Sequence, residues 1–341
     1  MNNTGVERAL VIGDGGWGTT LAMLLCARGV PTVLWSHDPK DSEELRRTRL
    51  NTRCLPGVKL PESLMFSADP FSAAEGVDMV VSAVPTQFLR SVAERFADAL
   101  PGGVALVSAS KGLEIESLNP PSQILRDVLG IKQVCILTGP SHAEEVARGL
   151  PATVVAAAHE KAFAQRVQTA FSGDTFRVYT HTDPLGAELA GALKNVIAIA
   201  AGISDGLGLG DNAKSALLTR GMVEMARYGV GRGGKRETFF GLAGIGDLVT
   251  TCCSKHSRNR SVGEAIGRGE KLQSLLSKMN MVAEGVWTTK ALFGPEAENQ
   301  GSVSMPIAEQ VHAVLFEDKS PREAVLDLMR REPAEEMKGL V

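Results

Sequence analysis

The run Ala9-Leu10-Val11-Ile12-Gly13-Asp14-Gly15-Gly16-Trp17-Gly18-Thr19 joins four apolar residues to a glycine cluster, then to a helix-forming segment. Gly13, Gly15 and Gly18 stand in G-x-G-x-x-G spacing. The first glycine permits a tight turn. The second lets the backbone approach a pyrophosphate, and the third lets helix pack on strand. The N–H groups that open the helix then face the anion. A lone glycine motif is a weak signal. Here it lies between a strand and a helix and is followed by a second strand, which points to dinucleotide binding rather than a merely tight turn.

Further short apolar runs follow at Thr32–Trp35, Met79–Val84, Val104–Ser108, Val134–Leu137 and Thr153–Ala157, with helical patterns such as Thr19–Ala27 and Phe88–Ala99 between them. Strands that are apolar on both faces and alternate with helices imply a parallel, doubly wound sheet. From about Asp183 the pattern becomes long and helical, including Pro184–Ile203, Asn212–Tyr228 and Pro306–Phe316. The expected organisation is therefore an α/β domain over residues 1–182 and an all-α domain over 183–341.

The composition fits this reading. The 341 residues are ample for two domains, and 44% hydrophobic with 22% charged residues excludes wholesale disorder. A net charge of −3 provides no overall attraction to nucleic acid or to an anionic membrane. Five cysteines without a CxxC pair suggest free thiols in a reducing compartment. Met1–Arg8 is polar, so no signal peptide is expected. Leu185–Ile203 is apolar enough to raise the question of a membrane span. Lys194 near its middle argues for a buried helix instead, since a central Lys costs ~2.5–3.5 kcal/mol on insertion. No metal-ligand spacing and no nucleophile–base arrangement emerges.

Ligands of open α/β sheets bind beyond the carboxyl ends of the strands. Three such ends carry Val84-Pro85-Thr86-Gln87, Ser110-Lys111-Gly112 and Thr138-Gly139-Pro140-Ser141. Turn chemistry alone accounts for much of this, but Lys111 places a cation where a phosphate or oxyanion could sit. The second strand ends in Trp35-Ser36-His37-Asp38, with serine where an NAD site usually has an acid. Arg46, Arg47 and Arg53 downstream could meet a 2′-phosphate or simply be solvated, so NAD and NADP both stay open.

Lys194 has only Ala190, Gly191, Ile197 and Ala198 at helical spacings of three and four, and Ala187 two turns before it. No carboxylate is in local reach, so a buried lysine needs a distant partner, and desolvation would bring its pKa toward neutrality. The alternative is a lysine whose amine snorkels to the surface. Asp247, in the glycine-rich stretch Gly241–Leu248, is a candidate partner. Ser257-Arg258-Asn259-Arg260 follows, and an Arg fork beside an amide suits a phosphate, although a solvated basic loop would read similarly.

With these motifs assembled, the chain resembles the bacterial NAD(P)-dependent glycerol-3-phosphate dehydrogenases. The resemblance rests on Gly13–Thr19 with Trp17, Ser110-Lys111-Gly112-Leu113-Glu114, Thr138-Gly139-Pro140-Ser141, Lys194-Asn195 within Glu188–Leu207, Gly241–Thr250, Ser257–Arg260 and Val282-Ala283-Glu284-Gly285. They occur in the family's order over nearly the whole chain. The resemblance implies a Rossmann-type N-terminal domain, an all-α substrate domain, a cytoplasmic homodimer and NAD or NADP as cofactor. It also implies interconversion of dihydroxyacetone phosphate and sn-glycerol 3-phosphate, which supplies glycerophospholipid synthesis. It makes Lys194 the proton-transfer residue, with Lys111 and Asp247 beside it. Lys111, Gly139, Ser141, Lys194, Asp247, Ser257, Arg258 and Asn259 would contact substrate. Gly13, Gly15, Gly16, Trp17, Gly18, His37, Arg53, Lys111, Ala143, Arg258, Val282 and Glu284 would line the nucleotide site. Two positions depart from the pattern. Many members have Ser where Gly16 stands, and many have Arg where Ser36-His37 follows Trp35.

Two rival readings share parts of this pattern. One is a β-hydroxy-acid dehydrogenase of the same architecture, against which Ser257–Asn259 and Lys111 weigh. The other is a nucleotide-sensing protein without chemistry, which would have no use for a proton-transfer lysine.

Overall fold

In a computed structural model, which describes residues 4–278, 283–299, 303–333 and 335–336, an eight-stranded sheet carries the first part of the chain. Its strands are β1 (Ala9–Ile12), β2 (Thr32–Trp35), β3 (Met65–Ser67), β4 (Met79–Ser82), β5 (Ala105–Ser108), β6 (Val134–Thr138), β7 (Ala152–Ala157) and β8 (Phe176–His181). They lie in the order β3-β2-β1-β4-β5-β6-β7-β8. The order reverses at β1, which pairs in parallel with both β2 and β4. That reversal opens the crevice in which such sheets bind ligands.

Every residue of β1, β2, β4, β5 and β6 is buried. Ala9 and Val11 face one side of the sheet with Leu21, Leu25 and Leu34, while Leu10 and Ile12 face the other. Burying each Val or Leu side chain contributes ~1.5–3 kcal/mol, so helices must cover both faces.

The sheet departs from the all-parallel expectation at one place: β6 and β7 are antiparallel. Their connection carries a helix of four residues, Ala143–Val146, too short to return the chain along the sheet. The helix starting near Phe88 is also shorter than expected, running Thr86–Glu94.

The chain divides into two compact units, residues 1–110 with 121–184 and residues 111–120 with 185–341. The segment carrying Lys111 is therefore grouped with the helical part rather than with the sheet. The second unit is built on two long helices, Pro184–Gly206 and Gly210–Gly231. Pro184–Gly206 is apolar enough to span a membrane by length and composition, yet it is buried in the helical core with Leu193, Val196, Ile197 and Ile199.

Candidate functional site

In the sheet unit the glycine loop turns at Gly13, whose φ is 108°, a conformation that L side chains rarely adopt. A Cβ there would lie 3.1 Å from the Ala83 carbonyl at the end of β4. At Gly18 a Cβ would overlap the Gly13 carbonyl at 1.9 Å, so the helix Gly16–Ala27 can start this close to β1 only with glycine. Gly15 differs: a Cβ there would meet open space. No side chain caps this helix, and its first turn carries no acidic residue. An uncapped N-terminus beside an open glycine is the donor set a pyrophosphate needs, so the loop fits a dinucleotide.

The surroundings hold that loop still. Asn51 Nδ2 donates to the Asp14 carbonyl and to Thr19 Oγ1, each at 2.8 Å. Ala143 packs against the start of the helix, 3.5 Å from where a Gly16 Cβ would stand. Trp17 sits half-buried with its ring 6.3 Å from Phe176. Arg53 pairs with Asp41 at 2.9 Å and with Asp14 at 3.5 Å. Burial raises the Asp14 carboxyl above its ordinary value, and Asp41 adds to this against the pull of Arg53. His37 lies exposed at the tip of β2.

Farther along the sheet, Gly139 follows β6 with φ 138°, where a Cβ would lie 3.0 Å from Val154 Cα. Ser141 Oγ donates to the Gly139 carbonyl at 2.8 Å.

In the helical unit a charged cluster is buried. Lys194 Nζ donates to Asp247 Oδ1 at 2.7 Å and to Thr251 Oγ1 at 2.6 Å. Lys111 Nζ donates to the other carboxylate oxygen, Asp247 Oδ2, at 2.7 Å. Lys194 and Asp247 are almost wholly enclosed, whereas the Lys111 side chain is 19% exposed. One carboxylate thus holds two ammonium groups, one inside and one near solvent.

Burial pushes the Lys194 ammonium down to about 8; Asp247 opposes that and Lys111 reinforces it. Burial alone would raise the Asp247 carboxyl, but the two ammonium groups together hold it below its ordinary value. The result is a carboxylate that stays ionised beside a lysine that titrates near neutrality.

Asp247 reaches this position through an unusual backbone. Residues Leu242–Gly246 form a π-helical turn that runs directly into the helix Asp247–Cys253. Gly244 packs so closely on Phe239 that a Cβ would overlap its carbonyl. π-turns of this kind often re-aim a functional side chain. Thr251, one turn after Asp247, was not singled out from the sequence. Its signal is the i, i+4 spacing, which stacks the hydroxyl on the carboxylate face where Lys194 arrives.

A second polar chain runs beside the first. Asn259 Nδ2 donates to Asn195 Oδ1, and the Gly285 N–H donates to Asn259 Oδ1, both at 2.9 Å. Asn195 follows Lys194, so the network ties the lysine helix to the helices Arg258–Gly267 and Glu284–Leu292. Ser257 caps the first of these by accepting from the Arg260 N–H at 3.2 Å. Arg258 is exposed at that helix start, and Glu284 is half-buried in the first turn of the other. Val282 lies outside the described residues. A separate apolar cavity of about 1020 Å3 in this unit is lined by Leu217, Ile307, Val311, Val314 and Val325, away from Lys194 and Asp247. Among the described residues no cluster of His, Cys, Asp and Glu could hold a metal ion.

Comparison with known proteins converges on one family. Residues 8–164 match the family described as NAD-dependent glycerol-3-phosphate dehydrogenase N-terminus, and residues 183–326 match the corresponding C-terminus. An NAD(P)+ glycerol-3-phosphate dehydrogenase of Chlorobium phaeobacteroides (strain BS1) is 48% identical over 330 residues, 96% of this chain and 98% of that protein. One of Citrifermentans bemidjiense is 50% identical over 328 residues, 95% of this chain and 97% of its own. The crystal structure of the glycerol-3-phosphate dehydrogenase of Coxiella burnetii superposes with a TM-score of 0.91 at 36% identity, covering 95% of this chain and 99% of that one. Identity near one half, over both units and nearly end to end, places the chain in the NAD-dependent glycerol-3-phosphate dehydrogenase family.

Proposed function

We propose that the protein reduces dihydroxyacetone phosphate to sn-glycerol 3-phosphate with NADH or NADPH, and runs the reverse reaction with the oxidised cofactors. Residues 1–182 would carry the nucleotide, and residues 183–341, together with Lys111, the substrate. The observation that carries this reading is the buried Lys194 Nζ, 2.7 Å from Asp247 and held there with a pKa of about 8. A carbonyl reduction needs one proton at the carbonyl oxygen, and this lysine is poised to give it.

The nicotinamide, when bound, supplies or accepts the hydride at the substrate's C2. The chain's own residues do the rest. Gly13, Gly15, Gly16, Trp17 and Gly18, with His37 and Ala143, would hold the nucleotide. In the reducing direction Lys194 donates a proton from Nζ to the C2 oxygen as negative charge develops there. Lys111 stabilises that oxygen as a fixed cation. Asp247 orients both amines and does not itself take up the proton. Thr251 accepts one Lys194 hydrogen and so limits where the others point. Arg258 and the second N–H of Asn259, at the start of a ten-residue helix, would grip the substrate phosphate. Binding energy far from C2 then fixes the geometry at C2. In the oxidising direction neutral Lys194 takes the proton from the C2 hydroxyl. The family's place in glycerophospholipid supply and a cytoplasmic setting belong to this proposal, as does a homodimer.

The experiment is to follow nicotinamide absorbance while purified protein meets dihydroxyacetone phosphate, in parallel with NADH and NADPH. Consumption with at least one cofactor is expected. No consumption by folded protein that binds nucleotide would turn the reading toward hydroxy acids.

A further inference from the structure

An arginine far from the glycine loop in sequence sits at the tip of β2. The expected acid position there holds Ser36, which is buried close to the Asp14 carboxylate and so faces inward. Asp38, two residues on, is occupied in capping the helix Pro39–Thr48 by accepting from the Lys40 N–H at 2.8 Å. The acid beyond the strand tip thus has one carboxylate oxygen committed to the helix start, and the position that usually carries the ribose acid has a hydroxyl.

A cation is displayed instead. Arg95 follows the helix Thr86–Glu94, and its guanidinium carbon lies 4.8 Å from the centre of the Trp35 ring. Its Nη1 donates to His37 Nδ1 at 2.9 Å. Because that bond occupies Nδ1 as an acceptor, neutral His37 carries its own hydrogen on Nε2. Stacking on Trp35 and the bond to His37 hold the arginine fork in one place at an exposed site. Two of the arginines after β2 already have partners. Arg53 is shared between Asp14 and Asp41, and Arg46 pairs with Glu43 and the Phe66 carbonyl. The nearby Asp69 carboxylate caps a short helix by accepting from the Ser72 N–H at 2.7 Å. Among the described residues no carboxylate pairs with Arg95.

We propose that Arg95, positioned by Trp35 and His37, is the residue that reads the adenosine ribose and accepts a 2′-phosphate there. The fork supplies two parallel N–H donors to the phosphate oxygens, and His37, accepting through Nδ1, fixes the direction in which the fork points. This extends the nucleotide-binding reading given under the proposed function and rests on it. It gives the chain a 2′-phosphate receptor although neither Ser36 nor His37 is an arginine.

The test compares adenosine 2′,5′-bisphosphate with 5′-AMP as binding probes, and NADPH with NADH as reductants. It uses wild type, Arg95→Ala, Arg95→Lys and His37→Ala, with thermal unfolding to verify the fold. Wild type should bind the bisphosphate at least tenfold more tightly than 5′-AMP. Arg95→Ala should cut that preference, and the NADPH-to-NADH ratio of kcat/KM, by about tenfold or more. Arg95→Lys should recover part of it by charge alone, and His37→Ala should lose less than Arg95→Ala. A wild type without the preference, or an Arg95→Ala that weakens both probes equally, would overturn the proposal. If Arg95→Ala does not fold, the Arg95→Lys and His37→Ala ratios decide, and unchanged ratios in both overturn it. Arg95-dependent binding of the bisphosphate without turnover of dihydroxyacetone phosphate would sink the dehydrogenase reading and leave this one standing.

Discussion

Lys194 Nζ and Asp247 Oδ1 stand 2.7 Å apart with both side chains almost fully buried. Attraction to Asp247 does not restore the lysine to its ordinary value, because burial and the neighbouring Lys111 ammonium act against it. The direction of the pH dependence follows. Ketone reduction needs protonated Lys194, so its kcat/KM should fall as pH rises through about 8. Oxidation of glycerol 3-phosphate needs the neutral amine, so its kcat/KM should rise through the same region. Paired pH profiles in the two directions check this, and parallel profiles would contradict it.

Replacing Asp247 by Asn would leave two ammonium groups around a neutral amide. Removing one partner of a buried ion pair costs ~3–5 kcal/mol, so denaturant melts at neutral pH should show a loss of about that size. The Lys194 pKa should fall further, moving the midpoint of the reductive profile below that of wild type. A variant with wild-type stability and midpoint would show that Asp247 does not hold the lysines.

Gly16 offers a steric prediction. A Cβ there would lie 2.8 Å from the Cys54 carbonyl, a backbone atom that cannot swing aside. Gly16→Ser should destabilise the chain by ~1–3 kcal/mol and raise the KM for nucleotide. Thermal unfolding and cofactor titration measure both, and a variant equal to wild type in both would mean that the loop at Cys54 gives way without cost.

Glu224 is a buried carboxyl outside the proposed chemistry. It accepts from the Ile307 and Ala308 N–H groups at 3.0 and 2.9 Å, at the start of the helix Pro306–Phe316. Burial raises its pKa to about 7, and the two backbone donors only partly oppose that. Between the ordinary value of 4.5 and about 7 the folded state binds more protons than the unfolded state. Its contribution to stability therefore falls as pH rises through this window. Glu224→Gln should remove that component, so the variant-minus-wild-type stability difference should shift in favour of the variant from pH 5 to pH 7.5. A difference that stays flat with pH would refute this.

What the sequence revealed, and what it hid, follows from the range of the interactions. β1, β2, β4, β5 and β6 announce themselves because they are apolar on both faces. β3 is three residues long and exposes Met65, and β8 alternates buried Phe176 and Val178 with exposed Arg177 and Tyr179. Neither forms an apolar run, and both lie at the sheet's edges, where one side need not be covered. The need of Lys194 for a distant partner was legible because its own helix offers no carboxylate. The Asn195–Asn259–Gly285 chain was not, since it joins residues 64 and 26 positions apart, and the π-turn that delivers Asp247 was not, since a glycine-rich stretch does not announce its helical pitch. Arg95 was hidden for the same reason: His37 lies 58 residues away.

The most direct measurement is single-turnover oxidation of NADH or NADPH by dihydroxyacetone phosphate, comparing wild type with Lys194→Ala. Asp247 keeps Lys111 as its partner in that variant, so the fold and the nucleotide loop should survive. The account predicts a rate at least 100-fold below wild type, with nucleotide affinity within about threefold, since loss of a general acid costs ~10²–10⁴ in rate. Turnover near wild type in Lys194→Ala would contradict it.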